Sequence, residues 1–171
     1  MTLTGWRCCC LFFLLVAAAA GAAADWTDRG EYDLALAIRA EPAPKARLQL
    51  LDQWKARYPK TEMRQVRREL YLSSYQTLGD SDGMLAVARE MLSDQPDSLV
   101  GLYWCTILIP GGKSGSEETL RVGERAARAL LSGRDTHFSA ARKPASLPDA
   151  EWRKQGANAE LLAHRALGWI L

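Results

Sequence analysis

The sequence predicts an all-helical fold built from antiparallel helical hairpins stacked one after another, and three observations lead there. The stretch Leu78-Gly79-Asp80, then Met84 and Ala88, then Pro96 spells helix, glycine turn, helix and proline stop. A related arrangement precedes it: Trp54-Lys55-Ala56-Arg57-Tyr58-Pro59 matches Met91-Leu92-Ser93-Asp94-Gln95-Pro96 one unit later. Finally, helix formers dominate after residue 25, and alternating strand patterns are scarce.

The elements follow in order. Lys45–Tyr58 places Leu48, Leu51, Trp54 and Tyr58 on one helical face, and Pro59 ends that helix because it cannot continue the hydrogen-bond ladder. Thr61 is read as the cap of a second helix running to about Leu78, with Val66, Leu70, Tyr71, Ser74, Tyr75 and Leu78 facing inward. Gly79 fits the left-handed position after a helix end. Ser81 or Asp82 restarts the chain into a helix with Leu85, Ala88 and Leu92 inward, closed by Pro96. Ser98–Ile109 has no polar face; composition alone also allows a buried strand, but helical neighbours favour a helix covered on several sides. Pro110–Gly115 is a loop, and Ser114 with Glu117 resembles a capping box opening Ser116–Leu131. In that helix Leu120, Gly123, Ala127 and Leu130 share a face whose small residues allow close approach. Gly133–Leu147 reads as the longest irregular stretch, and Pro148 begins a last helix.

The N-terminus is set apart from this pattern. Arg7 is the only charge before Asp25, Cys8 through Ala24 is apolar or small, and Ala22-Ala23-Ala24 ends it: the features of a secretory signal peptide over residues 1–24. An uncleaved anchor is the rival reading. Lipidation is disfavoured because Cys8, Cys9 and Cys10 precede the apolar stretch. Cleavage leaves Asp25–Leu171 with Cys105 as the remaining one of four cysteines, and removes one of 22 basic residues against 20 acidic ones. A single cysteine gives no disulfide framework. The near balance of charge gives no electrostatic footprint for nucleic acid or an anionic membrane. A periplasmic or secreted location is therefore expected, with no membrane span in the mature chain.

The intervals described above resemble the tetratricopeptide repeat, whose pattern W-x-x-L-G-x-x-Y, A-x-x-x-F, P recurs about every 34 residues. Arg68-x-x-Tyr71-Leu72-x-x-Tyr75 fills the first part, with only the tyrosine identical. Gly79 marks the turn, Met84-x-x-x-Ala88 fills the second part, and Pro96 ends the unit. Leu102-x-x-Cys105-Thr106-x-x-Ile109 keeps the apolar spacing, and His164-x-x-Leu167-Gly168-x-x-Leu171 restores the Leu-Gly pair. The likeness covers roughly Glu31–Leu171 and departs from regularity at the loops around Gly111 and Gly133. It implies a right-handed α-solenoid with hairpins near 31–58, 61–95 and 98–132 and a half repeat at 148–171. Ala159–Leu171 would be the first helix of a hairpin lacking its second. The sequence is accordingly expected to continue in a longer protein, unless this helix caps the stack by folding back on the Ser116–Leu131 helix.

The resemblance also implies function. First helices of successive tetratricopeptide hairpins line a concave groove that holds peptides or partner helices. Carried onto this chain, the groove residues are Glu69, Ser73, Gln76, Tyr103, Ile107, Arg165 and Trp169. Against this stand plainer readings: Tyr103, Ile107 and Trp169 as core, and Glu69, Ser73 and Gln76 as an ordinary solvated face. Arg64, Arg67 and Arg68 either meet an acidic segment or cover apolar neighbours while pairing with Glu62 or Glu69. Arg142-Lys143 is a contact or a solvated pair, and the tryptophans are packing residues before they are a sugar platform. No cofactor, no metal set and no enzymatic activity is expected. Pro110-Gly111-Gly112-Lys113-Ser114 lacks the spaced first glycine of a phosphate loop. His137 has no acid of obvious purpose, His164 is assigned a packing position, and Cys105 is read as a small buried hydrophobe. The expected role is a protein-interaction scaffold for an unknown protein or peptide. A segment of a larger envelope assembly is the second reading and a hydrolase the third.

Overall fold

A computed structural model describes residues 26–109 and 116–170. The signal segment, the Pro110–Gly115 loop and the Ser114 end of the expected capping box lie outside them. Described residues form α1 (Arg29–Ala40), α2 (Pro44–Arg57), α3 (Arg64–Leu78), α4 (Ser81–Asp94), α5 (Leu99–Leu108), α6 (Glu117–Ser132), the short α7 (Arg134–His137), a 3-10 turn (Ala140–Arg142) and α8 (Asp149–Ile170). The fold is all-helical: no strand occurs among the described residues. Ser98–Ile109, the one segment whose composition also allowed a strand, is helical.

Helix boundaries follow from capping chemistry. Asp28, Asp80, Ser98 and Ser116 each accept a backbone N–H three residues on, at 2.8, 2.9, 3.4 and 3.2 Å. Asp80, not Ser81 or Asp82, therefore starts α4, and Ser116 starts α6. Thr61 does not cap α3: its hydroxyl accepts from Met63 N at 2.9 Å, and the helix begins at Arg64. At the other end of α3, Gly79 takes φ 68°. There Asp80 N donates to Tyr75 O at 2.9 Å and Gly79 N to Gln76 O at 3.1 Å, both bonds of a Schellman motif. The stretch after α6 is more regular than expected. α7 and the 3-10 turn occupy it, pinned where Trp152 Nε1 donates to Ser139 O at 3.1 Å and Phe138 packs on Trp152 at 5.1 Å between ring centroids.

Consecutive helices pack in chain order: α1 on α2, α2 on α3, α3 on α4, α4 on α5, α5 on α6 and α6 on α8, with α8 also reaching α5. The core runs the length of this series through Ile38, Leu51, Trp54, Leu72, Met91, Ile109 and Leu130. α5 lies among α4, α6 and α8, which explains its lack of a polar face: Leu102 through Thr106 are all buried. Two glycines set the close approaches. A Cβ on Gly101 would sit 2.9 Å from Leu92 Cδ2 of α4, and one on Gly123 of α6 would sit 2.8 Å from Ile109 Cγ2.

The inner faces are shifted from expectation in several places. α3 buries Arg67, Arg68 and Leu72 beside Tyr71 and Ser74, while Leu78 is exposed. α4 turns Met84, Val87, Ala88 and Met91 inward, leaving Leu85 and Leu92 half-buried. α8 buries Trp152, Gly156, Ala159, Ala163 and Ala166. His164 is exposed, not packed, and Gly168 has nothing within 4 Å of a Cβ position. The Leu167-Gly168 pair therefore does not take the buried register that Leu72 and Thr106 take in α3 and α5.

These two glycine environments predict opposite effects. Gly123→Val must displace Ile109 and is expected to destabilise the protein by about 1–3 kcal/mol in urea unfolding. Gly168→Ala meets open space inside a helix and is expected to raise stability by up to about 1 kcal/mol.

Candidate functional site

The residues expected to line a partner groove fall into three places. Glu69, Ser73 and Gln76 form a half-buried polar strip on α3. Gln65 Nε2 donates to Glu69 Oε1 at 3.1 Å, and Ser73 Oγ returns to Leu70 O at 2.9 Å. Burial raises the Glu69 carboxyl above its ordinary range, against the lowering effect of Gln65 and of Arg39. On α5, Tyr103 is buried edge-on to Trp104, with ring centroids 5.5 Å apart, and Ile107 is half-buried. Tyr103 thus sits in the core. Arg165 and Trp169 are exposed on α8, Trp169 at 56%, so Trp169 is no core residue. The principal partners of α3 are α2 and α4, whereas those of α8 are α5 and α6; the three sets do not converge on one pocket.

The arginine cluster of α3 is tied into the fold. Arg68 is buried, and its Nη2 donates to Asp94 Oδ2 at 2.7 Å and Glu90 Oε1 at 3.2 Å. Arg64 joins at Asp94 Oδ2, 2.8 Å away, and Lys55 of α2 reaches Glu90 Oε2 at 3.0 Å. Arg67 donates to Tyr58 O at 2.9 Å. The partners are acids of α4 and a backbone carbonyl, not Glu62 or Glu69, because the face carrying Arg64 and Arg68 turns toward α4. Hydrogen bonds from Arg68 and Arg64 hold the Asp94 carboxyl below its ordinary range. For Glu90, burial opposes ionisation, yet Lys55 and Arg68 together outweigh it and keep the carboxyl low. Beside this brace, Tyr71 donates to Asp52 Oδ1 at 2.6 Å, and its phenol is raised by burial and by that carboxylate.

The remaining reactive groups lie apart from one another. His137 is buried, with Nδ1 3.4 Å from Arg142 Nη1 and the ring edge against Gly133. Burial, then the Arg142 charge, lowers its pKa, opposed by Asp97. Cys105 is fully buried, and burial raises its thiol to about 11, so the thiolate is scarce at neutral pH. Lys143 of the same connection bridges Asp149 at 2.6 Å. Among the described residues, no three His, Cys, Asp or Glu side chains are placed to hold a metal ion, and no helix is long and apolar enough to cross a membrane.

A concavity that sequence reasoning missed lies between α4 and α6, with α5 below. It is an open groove of about 530 Å³. Leu92, Leu102, Val122 and Ala126 line it, with Arg89 and Arg125 among its polar groups. Leu92, inward by helical spacing, does pack toward Gly101 of α5, and being half-buried it lines the groove as well. Its signal lay in the pairing of α4 and α6 residues, which spacing within one helix does not reveal.

No family model, curated protein or solved structure matches this chain.

Two titrations follow from these geometries. Asp94 and Glu90 have lowered folded values, so the stability they add is present above the ordinary carboxylate range of about 4 and is lost as pH falls through their folded values. The stability difference between the natural chain and Arg68→Met, measured by denaturant unfolding, is therefore expected to shrink steadily below about pH 4. His137 is also lowered. The unfolded chain then takes up its proton first, and stability falls as pH drops below about 6.5 toward the folded value. Thermal melts between about pH 7.5 and 5.5 are expected to show this slope, and His137→Gln to flatten it.

Proposed function

We propose that this chain is an exported, tetratricopeptide-like helical-repeat protein that serves as a scaffold for a protein partner. One observation carries the reading: from α1 to α6 each helix packs on the next one in the chain. This is the nearest-neighbour arrangement from which solenoids are assembled. The closing turns of α2 and α4 add support. Trp54 and Met91, one repeat apart, are both buried, and their carbonyls accept the C-cap N–H of Tyr58 and Gln95, each at 2.9 Å. The bond itself is the ordinary closing bond of an α-helix; what supports the reading is that the two matching segments each bury the residue that makes it.

In this reading the α3 strip of Glu69, Ser73 and Gln76 is a recognition surface, and Arg165 with Trp169 belongs to a second one on α8. Export rests on the N-terminal segment, which supplies an apolar stretch ending in Ala22-Ala23-Ala24. A second reading, a segment of a larger envelope assembly, draws on the exposed Leu161 and Trp169 of α8, which lie eight positions apart on one helical face.

A photo-crosslinker at Gln76 tests the first reading, with one at Ala37 on the exposed side of α1 as control. A single defined protein captured from the compartment of the chain at Gln76 and not at Ala37 supports a scaffold. Equal or absent capture at both sinks the recognition strip. N-terminal sequencing of the exported chain is expected to begin at Asp25. Light scattering after size exclusion addresses the second reading, and a concentration-independent monomer counts against it.

A further inference from the structure

We infer that the valley between α4 and α6 receives an apolar segment of a partner protein that carries a carboxylate, with Arg89 as its counter-ion. This deepens the scaffold reading and rests on it, but places the contact on a different face from the α3 strip. Three features point to this occupant. The volume of about 530 Å³ lies within the usual range for a binding site. Its floor of Leu92, Leu102, Val122 and Ala126 offers nothing to a hydrated ion and much to an aliphatic side chain. Its lining carries two arginines, Arg89 and Arg125, against one acid, Glu118, and so keeps a net positive charge for an incoming anion. Arg89 makes no ion pair with the described residues; its Nη2 donates to the neutral Thr119 Oγ1 at 3.0 Å. Arg125 faces only Glu118, at 3.5 Å with both side chains about two-thirds exposed, a pair that contributes little and exchanges readily.

The chemistry of recognition follows. An aliphatic side chain entering the valley covers the floor and excludes water from the neighbourhood of Arg89. A carboxylate carried by the same segment then accepts from the guanidinium, a charge-assisted bond stronger than the one to Thr119 that it supplements or replaces. Glu118 offsets Arg125, so the sign is set by Arg89, which repels a cationic segment; the groove selects sign as well as apolarity.

The full chain is titrated against three fluorescein-labelled helical peptides of leucine and alanine that differ at one central residue: Glu, Gln or Lys. Saturable binding of the Glu peptide is expected, with the Gln peptide about tenfold weaker and the Lys peptide weaker still. Arg89 is exposed, so Arg89→Glu retains the fold, checked by far-UV circular dichroism, and inverts the order in favour of Lys. Arg89→Gln removes the preference without inverting it. Equal affinity for the three peptides overturns the proposal, as does an unchanged order in Arg89→Glu. Loss of the Glu preference in Arg165→Glu, with Arg89→Glu silent, moves binding to α8 and also overturns it. Dodecanoate that binds as tightly as the Glu peptide, with the same dependence on Arg89, replaces the protein segment by an amphiphilic small molecule. No binding of any peptide, together with a defined partner crosslinked at Gln76, sinks the valley while the scaffold reading stands.

Discussion

The architecture turns on one constraint: α5 has no side that tolerates water. Leu102, Tyr103, Trp104, Cys105 and Thr106 are consecutive and all buried, so residues around the whole circumference must be covered. Each large apolar side chain fully buried there contributes roughly 1.5–3 kcal/mol relative to exposure. No single neighbour can cover a helix on all sides. α4, α6 and α8 are consequently drawn around it, and the chain between α6 and α8 is obliged to turn back rather than run on. The braces of that connection, Trp152 to Ser139 O and Lys143 to Asp149, hold α8 where α5 needs it.

The opposite end of the molecule is held by a different balance. Beside the apolar residues of α2, α3 and α4, α3 buries two arginines, Arg67 and Arg68. A buried guanidinium is tolerable only when its donors are satisfied. Arg67 finds the Tyr58 carbonyl just beyond the end of α2, and Arg68 finds Glu90 and Asp94 one turn apart on α4. The charges therefore fix the register of three helices while the stems fill space. The acids keep enough solvent contact to remain ionised. This brace occupies the basic cluster that composition alone offered as a partner site.

What was legible in the sequence was whatever is written locally. Gly79, Pro59 and Pro96 interrupt the chain for steric reasons that no tertiary contact overrides, and the helices stop at or near them. Leu51, Trp54, Ala88, Ala127 and Leu130 were readable as core from spacing within one helix. Caps were readable only as classes: Asp80, Ser81 and Asp82 are all competent, and the backbone geometry after the Schellman turn decides for Asp80. Arg67 and Arg68 read as surface because their partners are not visible locally: a backbone carbonyl, Tyr58 O, for Arg67, and acids more than twenty residues away for Arg68. The α8 assignments slipped for a related reason. Its buried stripe is made of glycine and alanines, Gly156, Ala159, Ala163 and Ala166, beneath one large anchor, Trp152. A stripe so poor in large residues is outweighed in any periodicity count by Leu161, Leu167 and Trp169, of which Leu161 and Trp169 face solvent.

The valley between α4 and α6 is a consequence of the same constraint that organises the core. Both helices must lie deep on α5, and glycine makes that depth possible: Gly101 admits Leu92, and Gly123 admits Ile109. Helices seated this way on a common neighbour meet it more closely than they meet each other. The side chains between them, Leu92 and Val122, are left half-buried over Leu102 and Ala126, with Arg89 bridging to Thr119. A larger residue at Gly101 would push α4 off α5, and one at Gly123 would push α6 off it. The valley and the packing of α5 are therefore one property: the small residues that complete the core also shape the exposed concavity above it.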